Sequence, residues 1–308
     1  MTSQESIFNL PSPLESKKWP LKFREDFENR NLELFVKRDD LIHSEVSGNK
    51  WRKLKFNIAQ AQQIGKSGIL TFGGAFSNHL LATAAACSAF GLKSIGLVRG
   101  EELNPESNRL LSRCRDLGMD LKFVERSEYS LRNDFDYLKN VKNEFSDCWV
   151  VPEGGSNFHG VLGCQEILNE INTSFDQMWV AQGTCTTSAG LLMSLPTSST
   201  LNVVPVLKGF DVLETMKGMH HQMVDTTEWE EDLQSRMKIH DEYHFGGYAK
   251  STEQLEGFVS SIESELALIL DKVYNGKAFY AMCDYLSKNE NIKDQKQIFL
   301  HTGGIFNA

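Results

Sequence analysis

Lys50 stands in Ser47-Gly48-Asn49-Lys50-Trp51-Arg52-Lys53, shortly after the acidic turn Arg38-Asp39-Asp40. A lysine at a glycine-preceded helix start is poorly placed, because the positive end of the helix dipole repels a cation there. An amine kept in such a position suggests a task, either an electrophile to bond or an anion to neutralise. Lysine amines form Schiff bases with carbonyl compounds. Taken alone, Gly-Asn-Lys reads equally as a solvated basic turn, since short motifs recur by chance.

Three later loops follow apolar strands. Phe72-Gly73-Gly74-Ala75-Phe76-Ser77-Asn78-His79 opens a helix. The N–H groups of Ser77, Asn78 and His79 could hold a carboxylate there, with Ser77 Oγ able to act on a bound substrate. Ser and Asn are also preferred N-caps, so capping alone would account for them. Gly183-Thr184-Cys185-Thr186-Thr187 has small residues and hydroxyl donors at a strand-to-helix turn, as a phosphate cradle requires. It is not a Walker loop, because no Gly-Lys-Ser/Thr follows. A threonine-rich helix cap is the alternative. Pro152-Glu153-Gly154-Gly155-Ser156-Asn157 is small-sided, as a loop lining a cleft must be.

The elements between these loops alternate. Strands are expected at 32–36, 69–72, 94–98, 120–124, 149–151, 178–181, 203–207 and 298–300. Helices are expected at 50–63, 78–90, 108–117, 129–145, 159–171, from Ser188, near 212–224, 253–266 and 278–286. Such alternation specifies parallel βαβ units in an open α/β sheet. Residues 1 to about 30 read as an arm with little periodicity, and 208–245 as a segment of unclear structure.

The 308 residues, 41% hydrophobic and 24% charged, are ordinary for a globular protein, and the length suggests about two domains. A net charge of -9 argues against nucleic-acid binding, which needs a positive footprint. No apolar run approaches the ~20 residues of a membrane span. The polar N-terminus has no signal-peptide pattern, so a cytoplasmic location is expected. Cys87, Cys114, Cys148, Cys164, Cys185 and Cys283 show no metal spacing and read as reduced, mostly buried thiols.

In this order the loops resemble the 1-aminocyclopropane-1-carboxylate deaminase/D-cysteine desulfhydrase family of pyridoxal 5'-phosphate enzymes. The likeness runs through Ser47-Gly48-Asn49-Lys50, Gly73-Gly74 with Ser77-Asn78-His79, and Pro152 to Gly155. It continues through 183–187, Asp271 to Lys277, and His301-Thr302-Gly303-Gly304. The resemblance implies fold type II: an α/β protein with two open, twisted, mostly parallel sheets flanked by helices and a cleft between two domains. It implies a large cofactor-binding domain from 1–46 with 158–308, and a small one from 47–157. Lys50 would be the Schiff-base lysine and Lys53 a charge near the phosphate, which Gly183, Thr184, Cys185, Thr186 and Thr187 would cradle. Asn78 would meet the cofactor's phenolic oxygen. The backbone of Ser77, Asn78 and His79 would take the substrate carboxylate, with Ser77 Oγ near Cα. Tyr248 and Tyr274 match two active-site tyrosines, and the oligomer implied is a homodimer.

Three places depart from that pattern, one being Asp271-Lys272-Val273, which lacks the proline often found before the tyrosine's valine. Asn275 stands where the deaminases carry a glutamate facing the pyridine nitrogen, and Thr302 is a second neutral candidate for that place. A neutral partner makes a shallower electron sink, which suits loss of a good leaving group better than opening a cyclopropane. The expectation is therefore β-elimination from a small amino acid such as D-cysteine, giving pyruvate, hydrogen sulfide and ammonia. The alternatives are 1-aminocyclopropane-1-carboxylate deamination, racemase or dehydratase chemistry on serine, and a silent cofactor-binding protein. Cys185 stands where the family usually has glycine, and would fit poorly if that residue needs a positive φ. If Lys50 carries the cofactor, Lys50→Ala should abolish the near-visible absorbance of the purified protein. An undiminished spectrum in that variant rules the assignment out.

Overall fold

The computed structural model describes residues 11–46, 48–221 and 235–304. Its larger sheet has six strands in the order β1-β2-β10-β7-β8-β9. These are β1 (Leu14–Lys17), β2 (Glu33–Lys37), β7 (Gln177–Gln182), β8 (Thr200–Pro205), β9 (Met237–Ile239) and β10 (Lys296–Leu300). Only the β1–β2 pair is antiparallel. The smaller sheet is wholly parallel, in the order β5-β4-β3-β6. Its strands are β3 (Gly68–Gly73), β4 (Lys93–Arg99), β5 (Met119–Val124) and β6 (Cys148–Val151). Every residue of β3 and of β7 is buried. Continuous apolar runs of this kind belong to sheets covered on both faces.

The covering helices are α1 (Leu21–Asn29), α2 (Asn49–Gln63), α3 (Asn78–Phe90), α4 (Arg109–Asp116), α5 (Arg126–Ser130), α6 (Phe135–Glu144) and α7 (Phe158–Asn169). Beyond them lie α8 (Thr186–Ser194), α9 (Val212–His221), α10 (Glu253–Leu266) and α11 (Asn275–Lys288). Alanine-rich α3 buries Leu80 to Cys87 without a break. Its small side chains allow that close approach.

The structure differs from several of these expectations. From residue 11 onward the N-terminal stretch is not an arm, because β1 adds an edge strand and α1 buries Phe23 and Phe27 beside Trp19, while residues 1–10 of that expectation lie outside the described residues. The expected helix 129–145 is two helices, because Asp134 caps α6 by accepting from Tyr137 N at 2.9 Å. β9 lies inside the stretch 208–245 that had no clear reading, and it pairs with β8. The helix expected at 212–224 is described as α9 to His221, and its last three expected residues lie outside the described residues. Helices α8 and α11 begin at Thr186 and Asn275, two and three residues before their expected starts at Ser188 and Ala278.

Helix α2 carries Lys50 and packs on α7 at minimal separation. A Cβ on Gly163 would fall 1.7 Å from the Arg52 carbonyl oxygen. A buried quartet of charges fixes the same junction. Arg52 grips Glu170 at 2.5 and 2.7 Å and Asp39 at 3.0 and 3.1 Å. Lys37 Nζ reaches Glu170 at 2.6 Å. Lys37, Asp39 and Arg52 are almost wholly buried, and the four formal charges cancel. Buried pairs gain little over apolar packing, but losing one partner costs about 3–5 kcal/mol.

Burial alone would raise the Glu170 pKa, but the hydrogen bonds from Arg52 and Lys37 outweigh it and hold the carboxyl at about 2, against 4.5 when free. A depressed carboxyl stabilises the fold fully above its unfolded pKa, and that stability disappears as pH falls through the folded value. Glu170→Gln should therefore cost on the order of 2–3 kcal/mol at neutral pH. It should also flatten the acid limb of stability between about pH 4.5 and about pH 2. Denaturant titrations of both proteins across that range check this, and parallel acid limbs would refute it.

Candidate active site

The loops singled out by sequence meet at the carboxyl ends of the parallel strands, the usual ligand edge of α/β sheets. Gly48 joins α2 to the end of β10. Its φ is 64°, and a Cβ there would lie 1.9 Å from Thr302 O, so only glycine allows this approach. Asn49 N–H donates to the same carbonyl at 3.2 Å. Asn49 Nδ2 donates to Thr187 Oγ1 at 2.9 Å, and its Oδ1 accepts from Lys50 Nζ at 2.6 Å. Lys53, one turn on, points Nζ at Thr184 Oγ1, 3.5 Å away. Gly154 packs on the Thr184 side chain, and Gly155 packs on Lys53 and the His79 ring. Gly183 faces the Tyr274 ring.

Helix α2 opens with four cations. Asp39 and Glu170 neutralise Arg52, and Glu166 neutralises Lys55 at 2.8 Å. Lys50 and Lys53 touch no carboxylate among the described residues. Burial, reinforced by Lys53, lowers the Lys50 amine to about 7. Burial lowers Lys53 as well. Two amines held beside a threonine-rich helix N-terminus without a counter-charge form a site for an anion.

The second loop serves both of its readings. Ser77 Oγ caps α3 by accepting from Leu80 N, while Ser77 N–H donates to Gly74 O at 3.0 Å. Asn78 makes only a 3.5 Å contact to Gly304 O, and its Oδ1 is buried without a partner. His79 bonds Thr71 Oγ1 at 3.0 Å through Nε2, while Nδ1 is unpartnered. Burial first, then Lys50 and Lys53, push the His79 imidazole down to about 3, so it stays neutral.

On the other side, Asn275 is saturated within the protein. Its Nδ2 donates to Asp271 Oδ2 at 2.6 Å and Gly303 O at 2.8 Å. Its Oδ1 accepts from Thr302 N at 2.9 Å and Thr302 Oγ1 at 3.1 Å. Asp271 also takes the backbone N–H groups of Val273, Tyr274 and Asn275. Tyr274 meets Tyr248 edge to face, with centroids 6.1 Å apart. Burial, with Tyr248 beside it, raises the Tyr274 hydroxyl well above its usual value, so it stays protonated. Tyr248 itself is half exposed.

Cys185 has φ 62°, the left-handed conformation in which glycine would be unstrained. Its thiol is buried against Gln182 Nε2 at 2.7 Å, and burial pushes it up to about 12. Sequence reasoning missed Asn49, Thr71 and the capping role of Asp271. Asp271 sits four residues ahead of α11 and reaches its first N–H, a spacing outside the usual N-cap position. Asn49 and Thr71 matter only through partners distant in the chain or on another element.

In cofactor-stripped protein, a small acylating reagent should modify Lys50 with a rate that rises through about pH 7. The amine is free above that value, well before ordinary lysines titrate. Peptide mass spectrometry across pH 5–10 reads this, and a midpoint near 10 would contradict the buried, uncompensated amine.

The pyridoxal-phosphate dependent enzyme family matches residues 12–303 of the chain. The chain is 29% identical to the mitochondrial bifunctional D-cysteine desulfhydrase/1-aminocyclopropane-1-carboxylate deaminase of Arabidopsis thaliana, covering 97% of this chain and 78% of that one. It is 29% identical to the D-cysteine desulfhydrase of Serratia proteamaculans, covering 88% and 86%. A solved structure of an ACC deaminase homologue superimposes with a TM-score of 0.79 at 26% identity, covering 97% of this chain and 91% of that one. With its two mainly parallel sheets and a lysine-bearing helix facing a threonine-rich turn, the chain belongs to the pyridoxal-phosphate dependent enzymes, in their fold type II branch.

Proposed function

We propose that this enzyme eliminates a β-substituent from a small amino acid, D-cysteine being the best candidate, and releases a keto acid and ammonia. The observation that carries the choice is that the two side chains offered to the pyridine-nitrogen side, Thr302 and the Asn275 hydrogen-bonded to it, are both neutral. 1-Aminocyclopropane-1-carboxylate deamination is the second reading, favoured by the names of the relatives in which both activities occur.

The residues fit the family's cofactor. Lys50 and Lys53 touch no carboxylate among the described residues, Gly154, Gly155 and Gly183 let the Thr184, Lys53 and Tyr274 side chains close on the threonine turn, and Asn78 Oδ1 is a buried atom without a partner. In this reading Lys53 with Gly183, Thr184, Cys185, Thr186 and Thr187 holds the phosphate, Lys50 the aldehyde carbon and Asn78 the phenolic oxygen. The side of the pyridine nitrogen is assigned to Thr302, whose oxygen keeps its lone pairs while Asn275 is fully engaged. When bound, the cofactor supplies an electron sink for charge developing at the substrate's Cα.

The protein's own groups then divide the work. The free N–H groups for the substrate carboxylate are those of Asn78 and His79, because Ser77 N–H is committed to Gly74. Ser77 Oγ stands beside them. Lys50 Nζ, with its lowered proton affinity, takes the proton from Cα. Tyr274, protonated at all working pH values, donates to the departing group, with Tyr248 beside it. His79 remains neutral and adds no cation next to the two lysines.

We also propose the division into 1–46 with 158–308 and 47–157. It is supported by the origin of the strands, since β3 to β6 all come from the inner stretch. No helix among the described residues is long and apolar enough to cross a membrane, and all six cysteines are free and buried. The free cysteines support a cytoplasmic location, and a homodimer rests on the family resemblance alone.

Purified holoenzyme incubated with D-cysteine, L-cysteine and 1-aminocyclopropane-1-carboxylate should release sulfide and pyruvate fastest from D-cysteine. Asn275→Glu should raise the ratio of cyclopropane opening to sulfide release by tenfold or more, about 1.4 kcal/mol of relative barrier. Equal loss of both activities would remove the electronic argument, and no sulfide from either cysteine would remove the reading itself.

A further inference from the structure

Lys277 lies on α11, close to one turn beyond Tyr274, and is fully buried. Its ammonium touches no carboxylate among the described residues. Nζ donates instead to two main-chain carbonyls, His244 O and Gly247 O, each at 2.8 Å. These carbonyls bracket the turn that presents Tyr248.

That turn has a backbone which needs holding. Phe245, Gly246 and Gly247 all have positive φ, at 51°, 90° and 113°. A left-handed conformation costs a residue such as Phe roughly 1–2 kcal/mol and persists only where its surroundings enforce it. The turn's other ties are short-range: Gly246 N–H donates to His244 Nδ1 at 2.9 Å, Gly247 N–H to His244 O at 3.0 Å and Lys250 N–H to Gly247 O at 3.1 Å. The Phe245 ring meets Tyr280 edge to face at 5.2 Å, again on α11. Burying an ammonium is costly, and two charge-assisted bonds to carbonyls are what offset it here.

We propose that Lys277 is a positioning residue, whose buried ammonium clamps the His244 and Gly247 carbonyls and so sets the Tyr248 ring against Tyr274. The clamp stands on this geometry alone; its consequence for turnover rests on the function proposed above. The charged group that acts on it is Asp271, four residues ahead of α11. Lys208 packs on Gly247 and Lys250 on Gly246. Burial lowers the Lys277 amine to about 8, partly opposed by Asp271. The clamp therefore loosens as pH rises through that value.

Hydrogen–deuterium exchange over residues 244–250 tests it, in holoenzyme and in cofactor-stripped protein. Lys277→Met should speed exchange there about tenfold, the equivalent of losing a charged hydrogen bond, and leave β3 to β6 unchanged. Wild type should show the same acceleration between pH 7 and pH 9, corrected for intrinsic exchange, and the variant should not. If the variant fails to fold, the wild-type series alone decides. Turnover should fall about tenfold in kcat with KM within about twofold, and Lys277→Met should add nothing to Tyr248→Phe. Exchange indifferent to both the substitution and pH overturns the proposal, as do additive effects of the two substitutions. Faster exchange with normal turnover in both variants supports the clamp and removes Tyr248 from the reaction, so the two claims fail separately.

Discussion

The site depends on the grip of Arg52 on Asp39 and Glu170. Arg52 is two residues beyond Lys50 on the same helix, and its partners lie after β2 and at the end of α7. The bidentate pairs fix α2 in rotation as well as in distance, because a guanidinium fork accepts a carboxylate in few orientations. The first turn of α2 is thereby held against the end of β10 and the threonine turn. Gly48 and Gly163 allow the approach by having no Cβ, and the charges keep it there. The arrangement is electrically neutral, so its main effect is specificity of placement.

With that helix fixed, the electrostatics of the site follow. Two carboxylates satisfy Arg52 and one satisfies Lys55, while Lys50 and Lys53 are left beside hydroxyls and an amide. Burial leaves the Lys50 amine easily deprotonated, and Lys53 stands beside the hydroxyl of the adjacent threonine turn. His79 cannot compete for a proton, and Tyr274 cannot lose one. The opposite wall is organised by Asp271, which caps α11 and turns the Asn275 amide towards Gly303 and Thr302. The start of the same helix holds Tyr274, Asn275 and Lys277 within one turn.

Much of this was legible in the chain. Glycine-rich strand-to-helix turns and apolar strands announced an α/β protein, and the order of the loops announced its family. Lys50 stood out because its position conflicts with the helix dipole. The failures have physical causes. Residues 21–29 show little periodicity because α1 buries only Phe23 and Phe27. The break between α5 and α6 is set by one capping aspartate, which a periodicity argument overlooks. β9 is three residues long and takes its identity from β8. Cys185 was flagged as strained if its φ were positive, and only the backbone could show that it is.

Residue type and spacing determined which groups could do chemistry: an amine, two hydroxyl-rich turns and a pair of phenols. These are local properties, written in short stretches of chain. Which groups meet, and in what state of charge, was decided by contacts between residues far apart in sequence. Asn49 finds Thr187, Arg52 finds Glu170, and Lys277 finds the carbonyls behind Tyr248. Proton affinity follows burial and neighbours, and both exist only once the two sheets and their helices have closed around the site.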